Sequence, residues 1–164
     1  MNTTTESHNR KEILSTLESV IQVSRDGTEG FRQASEHAEA GELKIMFGKY
    51  AAERAVMVIE LQALQREHGQ ADVDDSGTIA GGLHRAWINL RSIIGTKNDQ
   101  AILEEAVRGE EAALKAYRDA LLPITPSLPQ AVIDKLSEHL KKVEAAHEDV
   151  RSCLVSNRYD VKQS

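Results

Sequence analysis

Two stretches carry residues whose type and spacing suit chemistry. In Asp99–Leu122, DQAILEEAVRGEEAALKAYRDALL, the apolar residues Ile102, Leu103, Ala106, Val107, Ala113, Leu114, Tyr117 and Leu121 recur at helical spacing. The centre of that stripe is Glu110. A carboxylate there must be paired, protonated or metal-bound, because an isolated buried charge is too costly. The second stretch is Glu144-Ala145-Ala146-His147, an E-x-x-H whose two side chains sit on adjacent helical turns and can reach one ion. His147 falls inside its own apolar stripe, between Val143 and Val150; Glu144 stands roughly 90° from the stripe centre, and His139 near its edge.

Carboxylate-bridged di-metal helical proteins take a Glu from each of two helices and a Glu-x-x-His from each of two others. Carboxylate oxygen and imidazole nitrogen suit iron or manganese, and zinc less well for a carboxylate-rich set. The remaining candidates are Glu53 and Glu60, which flank the stripe of the second helix, and Glu36 and Glu39 in the first. Glu36 stands roughly 120° off its stripe. The set is one His short of the full pattern. Against metal stands a buried Glu110–His147 hydrogen bond that fixes helix register, with Glu53 and Glu60 on a solvated stripe or bridged to Arg54 and Lys49. His84-Arg85 reads as surface or subunit contact, Trp87 as core, and His8, His37 and His68 as surface. Cys153 has no basic neighbours that would activate it.

The elements that must position these residues are helices. The chain has 164 residues, long enough for one domain with a core. Aromatics make up only 4%, so Leu, Ala, Ile and Val must fill that core, which suits packed helices. All three prolines fall between Pro123 and Pro129, leaving the rest free of the usual helix breaker. Residues 1–7 read as a disordered start and 157–164 as a tail, around a domain at 8–156. The first helix runs from His8 to about Glu39, through two glycines, Gly27 and Gly30, read as close-packing positions, with Gly41 as its cap. The second runs from Glu42 to His68 and is capped by Gly69. It has two apolar faces: Leu43, Met46, Phe47, Tyr50, Met57, Leu61 and Leu64 inward, and Ile45, Ala52, Val56, Ile59 and Ala63 toward a second subunit.

After the polar loop Gln70–Ser76, Ser76 or Thr78 caps a third helix carrying Ile79, Leu83, Trp87, Leu90, Ile93 and Ile94. It stops near Gly95, and Asn98 or Asp99 caps the helix of Glu110. A proline-set turn leads to the last helix, Gln130–Leu154, with Val132, Leu136, Leu140, Val143, Val150 and Leu154 inward. The expected fold is all-α: an antiparallel four-helix bundle with its third rod interrupted near Gly95–Asp99.

A net charge of −6 and the lack of a basic block argue against nucleic acid or an anionic membrane as partner. No run approaches the roughly 20 apolar residues of a membrane span. One cysteine excludes an internal disulfide framework and any Cys-based metal site. The expectation is a cytoplasmic homodimer. No nucleophile with a base, phosphate loop or nucleotide fingerprint competes.

The set Asp26-Gly27, Gly30-Phe31, Ala34-Ser35-Glu36, Glu53-Arg54, Glu60-Leu61, His84-Arg85-Ala86-Trp87, Arg108-Gly109-Glu110, Ala116-Tyr117-Arg118 and Ala146-His147 resembles a bacterial domain family of unknown function placed in the ferritin-like superfamily. The resemblance covers about Arg10 to Leu154. It implies a ferritin-like four-helix bundle, with Glu36, Glu53, Glu110 and His147 at the family's recurrent polar positions. The chain departs at Val107, where the family tends to carry Glu. The resemblance implies no reaction.

Overall fold

The computed structural model describes residues 3–70, 87–122 and 128–160. Every regular element among them is a helix: α1 (Thr3–His37), α2 (Gly41–Glu67), α3 (Leu90–Ile93), α4 (Asp99–Ala120) and α5 (Gln130–Val155). The expected caps Ser76 and Thr78, the stripe residues Ile79 and Leu83, His84-Arg85 and the turn at 123–127 lie outside the described residues.

α1 begins at Thr3 rather than His8, with Glu6 in its first turn, where a carboxylate favours the positive end of the helix dipole. It runs unbroken through Gly27 and Gly30. The close-packing reading of these glycines holds. A Cβ on Gly27 would stand 3.3 Å from Cγ of Arg54. One on Gly30 would stand 2.3 Å from the nearest ring atom of Trp87, and one on Gly109 2.4 Å. The indole is thus wedged between α1 and α4 where both helices lack a side chain, and it stacks edge-on to Phe31 at 5.0 Å.

The expected role of Gly41 is corrected: it does not cap α1 but opens α2, one residue after Ala40. The buried carboxylate of Asp99 makes the turn, accepting the backbone N–H groups of Glu39 at 2.8 Å and Ala40 at 2.9 Å. Gly69, at φ +94°, closes α2 as expected. Asn98 caps α4 by accepting the N–H of Ala101 at 3.0 Å.

Cross-helix contacts fix the directions. On α1 and α2, Phe31 meets Phe47 and Gln65 meets Glu18, so the pair is antiparallel. Ser24 meets Tyr117 and Glu39 meets Asp99, so α4 also runs against α1. Tyr117 and His147 meet His139 and Glu111, so α5 runs against α4; Glu60 and Tyr50 meet His139 and Asp149, so α5 also runs against α2. α2 therefore ends beside the start of α1, while α4 begins beside its end. The end of α2 and the start of α4 thus lie at opposite ends of the helices.

The core has two apolar blocks. One gathers Leu17, Val20, Ile21, Met57, Leu61, Leu114, Leu136 and Val143. The other gathers Phe31, Leu43, Phe47, Trp87, Leu90, Ile102, Leu103 and Val150. On the expected inward face of α2, Leu43, Phe47, Tyr50, Met57, Leu61 and Leu64 are buried and Met46 partly so, whereas Ile45 is 77% exposed, Ile59 63% and Val56 50%. No helix among the described residues is long and apolar enough to cross a membrane.

Candidate functional site: two polar layers in an apolar core

Between the two apolar blocks, α2 and α4 each place a charged residue in the core. Phe47, Tyr50, Arg54, Met57 and Leu61 are spaced three, four, three and four along α2, so Arg54 occupies a core position. Ala106, Glu110, Ala113 and Tyr117 do the same on α4. Both charged residues are fully buried, and Arg54 Nη2 donates to Glu110 Oε2 at 2.6 Å. The guanidinium also lies 5.8 Å from the Phe31 ring. Burial pushes the Glu110 carboxyl up to about 7, outweighing Arg54, and the neighbouring Glu53 carboxylate adds to the rise. Beside this pair, Tyr50 donates to Asp149, and burial raises the phenol further than that hydrogen bond does.

The expected Glu110–His147 pair is corrected. The partner of Glu110 is Arg54, whose guanidinium brings a charge and a fork of donors that imidazole lacks. His147 is half-buried at the edge of the core and faces Glu111 at 3.8 Å. Glu36 is exposed and pairs with Arg32; Glu144 is exposed and lies 3.5 Å from Arg118. Among the described residues, no three of His, Cys, Asp and Glu come together as a metal-holding group.

The second layer crosses all four long helices. Its centre is His139, placed at the stripe's edge by the sequence but fully buried here. The inward face of α5 is Val132, Leu136, His139, Val143, Ala146 and Val150, leaving Leu140 and Leu154 only partly buried. His139 Nε2 meets Glu60 Oε2 on α2 at 2.7 Å, and Nδ1 meets the Tyr117 hydroxyl on α4 at 3.1 Å. That hydroxyl meets Ser24 Oγ on α1 at 2.9 Å. Glu60 bridges to Lys135 at 3.3 Å rather than to Lys49, which lies over the Tyr50 ring.

The proton positions follow from charge. The hydrogen bond from His139 holds the Glu60 carboxyl below its usual range, so it accepts and Nε2 donates. Burial lowers the His139 pKa, so the ring is neutral and Nδ1 accepts from Tyr117. Burial pushes the Tyr117 phenol up to about 12, and its oxygen accepts from Ser24. This relay is satisfied at each link and holds one side chain from each long helix in register. A surface hollow of about 490 Å³ between α1 and α4 is lined by residues such as Ser15, Ser19, Lys115 and Asp119, none of them in either layer. Neither layer presents a nucleophile to a substrate cleft. Burial also raises the Cys153 thiol, in line with its expected inertness.

The family described as a domain of unknown function, DUF2383, matches residues 12–122. The chain belongs to this family. No curated protein matches it. The DUF2383 match takes in Ser24, Arg54, Glu60, Glu110 and Tyr117 and stops short of α5. His139 and His147 therefore lie beyond it.

The layers give opposite pH dependences. Glu110 titrates higher folded than unfolded, so its contribution is complete below its ordinary value of 4.5 and is lost as pH rises to about 7. That loss is roughly 3 kcal/mol. His139 titrates lower folded than unfolded, so it destabilises as pH falls below 6.5. Chemical denaturation of Glu110→Gln is expected to show stability rising with pH toward 6.5. His139→Gln is expected to show it falling between 4.5 and 7. Parallel profiles for the two variants would contradict both assignments.

Proposed function

We propose that this DUF2383 protein is a ferritin-like four-helix bundle acting as a metal-free helical interaction module, whose partner is a second copy of itself. The bundle reading is supported by the helix directions. Neighbours run antiparallel, and the end of α2 and the start of α4 lie at opposite ends of the helices. A single long crossover is the connectivity of ferritin-like bundles, as opposed to up-down-up-down ones. The metal-free reading is supported by Arg54, a permanent cation already bound to the carboxylate best placed for a metal. A cytoplasmic setting agrees with a single free cysteine.

The observation that carries the pairing is the outer face of α2. Ile45, Val56 and Ile59 stand well exposed along a helix whose opposite face fills the core. Large apolar side chains exposed on one face of a helix suit association. Val56→Glu is expected to convert a dimer to a monomer in light scattering, with the helical signal and melting temperature near wild type. An unchanged mass would remove the pairing through this face.

A second reading, iron or manganese held by Glu110 with Glu53 and help from Glu60, Glu36, Glu144 or His147, has one observation in its favour. Glu53 and Glu110 each carry a buried carboxylate oxygen without a partner. Retained iron or manganese that disappears in Glu110→Ala would favour it. A clean zero after reconstitution would remove it.

A further inference from the structure

The Arg54 layer brings acids from three helices to one place. On α2, Tyr50 and Glu53 sit within about a turn of Arg54. The Tyr50 hydroxyl donates to Asp149 on α5. Burial raises that phenol first, and the carboxylates of Asp149, Glu53 and Glu110 each add to the rise. Glu110 comes from α4, and it feels Glu53 in the same way.

Into this group α2 sends the guanidinium of Arg54, and the match is partial. Nη2 donates to Glu110 Oε2, whereas Nε and Nη1 have no hydrogen-bond partner. On the acid side, Glu110 Oε1 and Glu53 Oε1 are buried and unpartnered as well, and Glu110 is fully buried as a residue. Two carboxylate oxygens therefore keep a capacity for cations that the guanidinium does not use. Arg54 nonetheless fills the space beside them. Its stem passes over Gly27 of α1, and its guanidinium lies 5.8 Å from the Phe31 ring. While it is there a metal ion does not fit. The ion would lie against a permanent cation, and among the described residues no three ligating side chains converge.

We infer that Arg54 stands in for a divalent metal ion in this layer, and that removing its guanidinium turns the layer into a metal site. The inference rests on the metal-free reading above and goes beyond it. Glu53 and Glu110 supply one oxygen each. A hard ion such as magnesium is held by one or two carboxylates with waters completing its shell, so two protein ligands suffice where waters have room. Truncation of Arg54 makes that room, on the side where α1 has Gly27 in place of a side chain. Charge agrees: one guanidinium offsets one of the two carboxylates, and a divalent ion offsets both. Magnesium gives up its waters reluctantly, so manganese, which also suits oxygen ligands, is the better occupant.

Manganese titration of the full chain tests this by electron paramagnetic resonance and thermal melting. Wild type is expected to bind none and to keep its melting temperature. Arg54→Ala is expected to bind a manganese ion in each chain. Manganese at about 100 times its dissociation constant should then raise the melting temperature by about 5–10 °C. Arg54→Ala/Glu110→Ala should lose both responses. Arg54→Ser is a second truncation, in case the alanine variant alone fails to fold. Folded truncations that take up no manganese would overturn the inference and leave the metal-free reading standing. Truncations that manganese does not fold at any concentration would overturn it too, as would binding that survives Glu110→Ala. Manganese bound by wild type would overturn both the inference and the reading beneath it.

Discussion

Replacing Glu110 by methionine is expected to destabilise the protein by about 3–5 kcal/mol at acid pH, and by less as pH rises toward 7. The reason is the partner left behind. Arg54 is fully buried, it donates to Glu110 while its Nε and Nη1 have no hydrogen-bond partner, and a guanidinium cannot shed its charge in the accessible pH range. The opposite deletion differs. In Arg54→Met the stranded group is a carboxyl already pushed up to about 7, and it can escape its charge by taking a proton. Its cost is therefore expected to be largest above neutral pH and to shrink as pH falls. The double variant Arg54→Met/Glu110→Met should recover most of the loss, because well-packed apolar side chains often replace a buried ion pair at little cost. Urea denaturation of the three variants at two pH values checks all of this. A loss below about 1 kcal/mol for Glu110→Met would mean that Arg54 finds other partners.

Gly30→Ala and Gly109→Ala carry the second large effect. In an unobstructed helix interior, Gly→Ala stabilises by about 1 kcal/mol. Here the new methyl would lie 2.3 Å from the Trp87 ring at one site and 2.4 Å at the other. The ring is held from both sides by helix backbone, so it cannot step aside. Either substitution should destabilise by about 1–3 kcal/mol through overpacking, reversing the intrinsic sign. The double variant should expel the ring. Trp87 is the only tryptophan, so its emission reports the event directly. Thermal melts should fall and emission should shift to the red. Stabilised variants with unshifted emission would show that the indole does not sit between these glycines.

Much of this was legible in the residue pattern. Glu110 at the centre of a stripe demanded a partner, and the two-faced pattern of α2 marked its outward residues correctly. The partner does not show in the helix of Glu110, although the second helix carries its signal. Arg54 sits on the three-four spacing of Phe47, Tyr50, Met57 and Leu61, but a charged residue is usually read as surface. His139 was displaced for a related reason. Leu140 is more hydrophobic than its neighbour His139, and it pulls the expected inward face of α5 one residue out of phase. The spacing Leu136, His139, Val143, Ala146, Val150 puts the imidazole inside. Gly41 looked like a helix cap because glycine favours that position, yet Asp99, about sixty residues away, supplies the turn by capping two N–H groups. A contact so distant in sequence leaves no local periodicity to read.

The same limit explains the relay. Ser24, Glu60, Tyr117 and His139 come from four helices, and only their packing makes one chain of hydrogen bonds. Glu36 and Glu144 show the converse. Each has the right residue type for a ligand and points to solvent, as the wheel placed them off the stripe.

Native mass spectrometry of the untagged protein, purified without chelator from cells supplied with iron, manganese and zinc, tests the central claim most directly. The metal-free pairing predicts a species at twice the 18.1 kDa chain mass with no added metal. A species at the single-chain mass, or one carrying iron or manganese in fixed ratio to the chain, would contradict it.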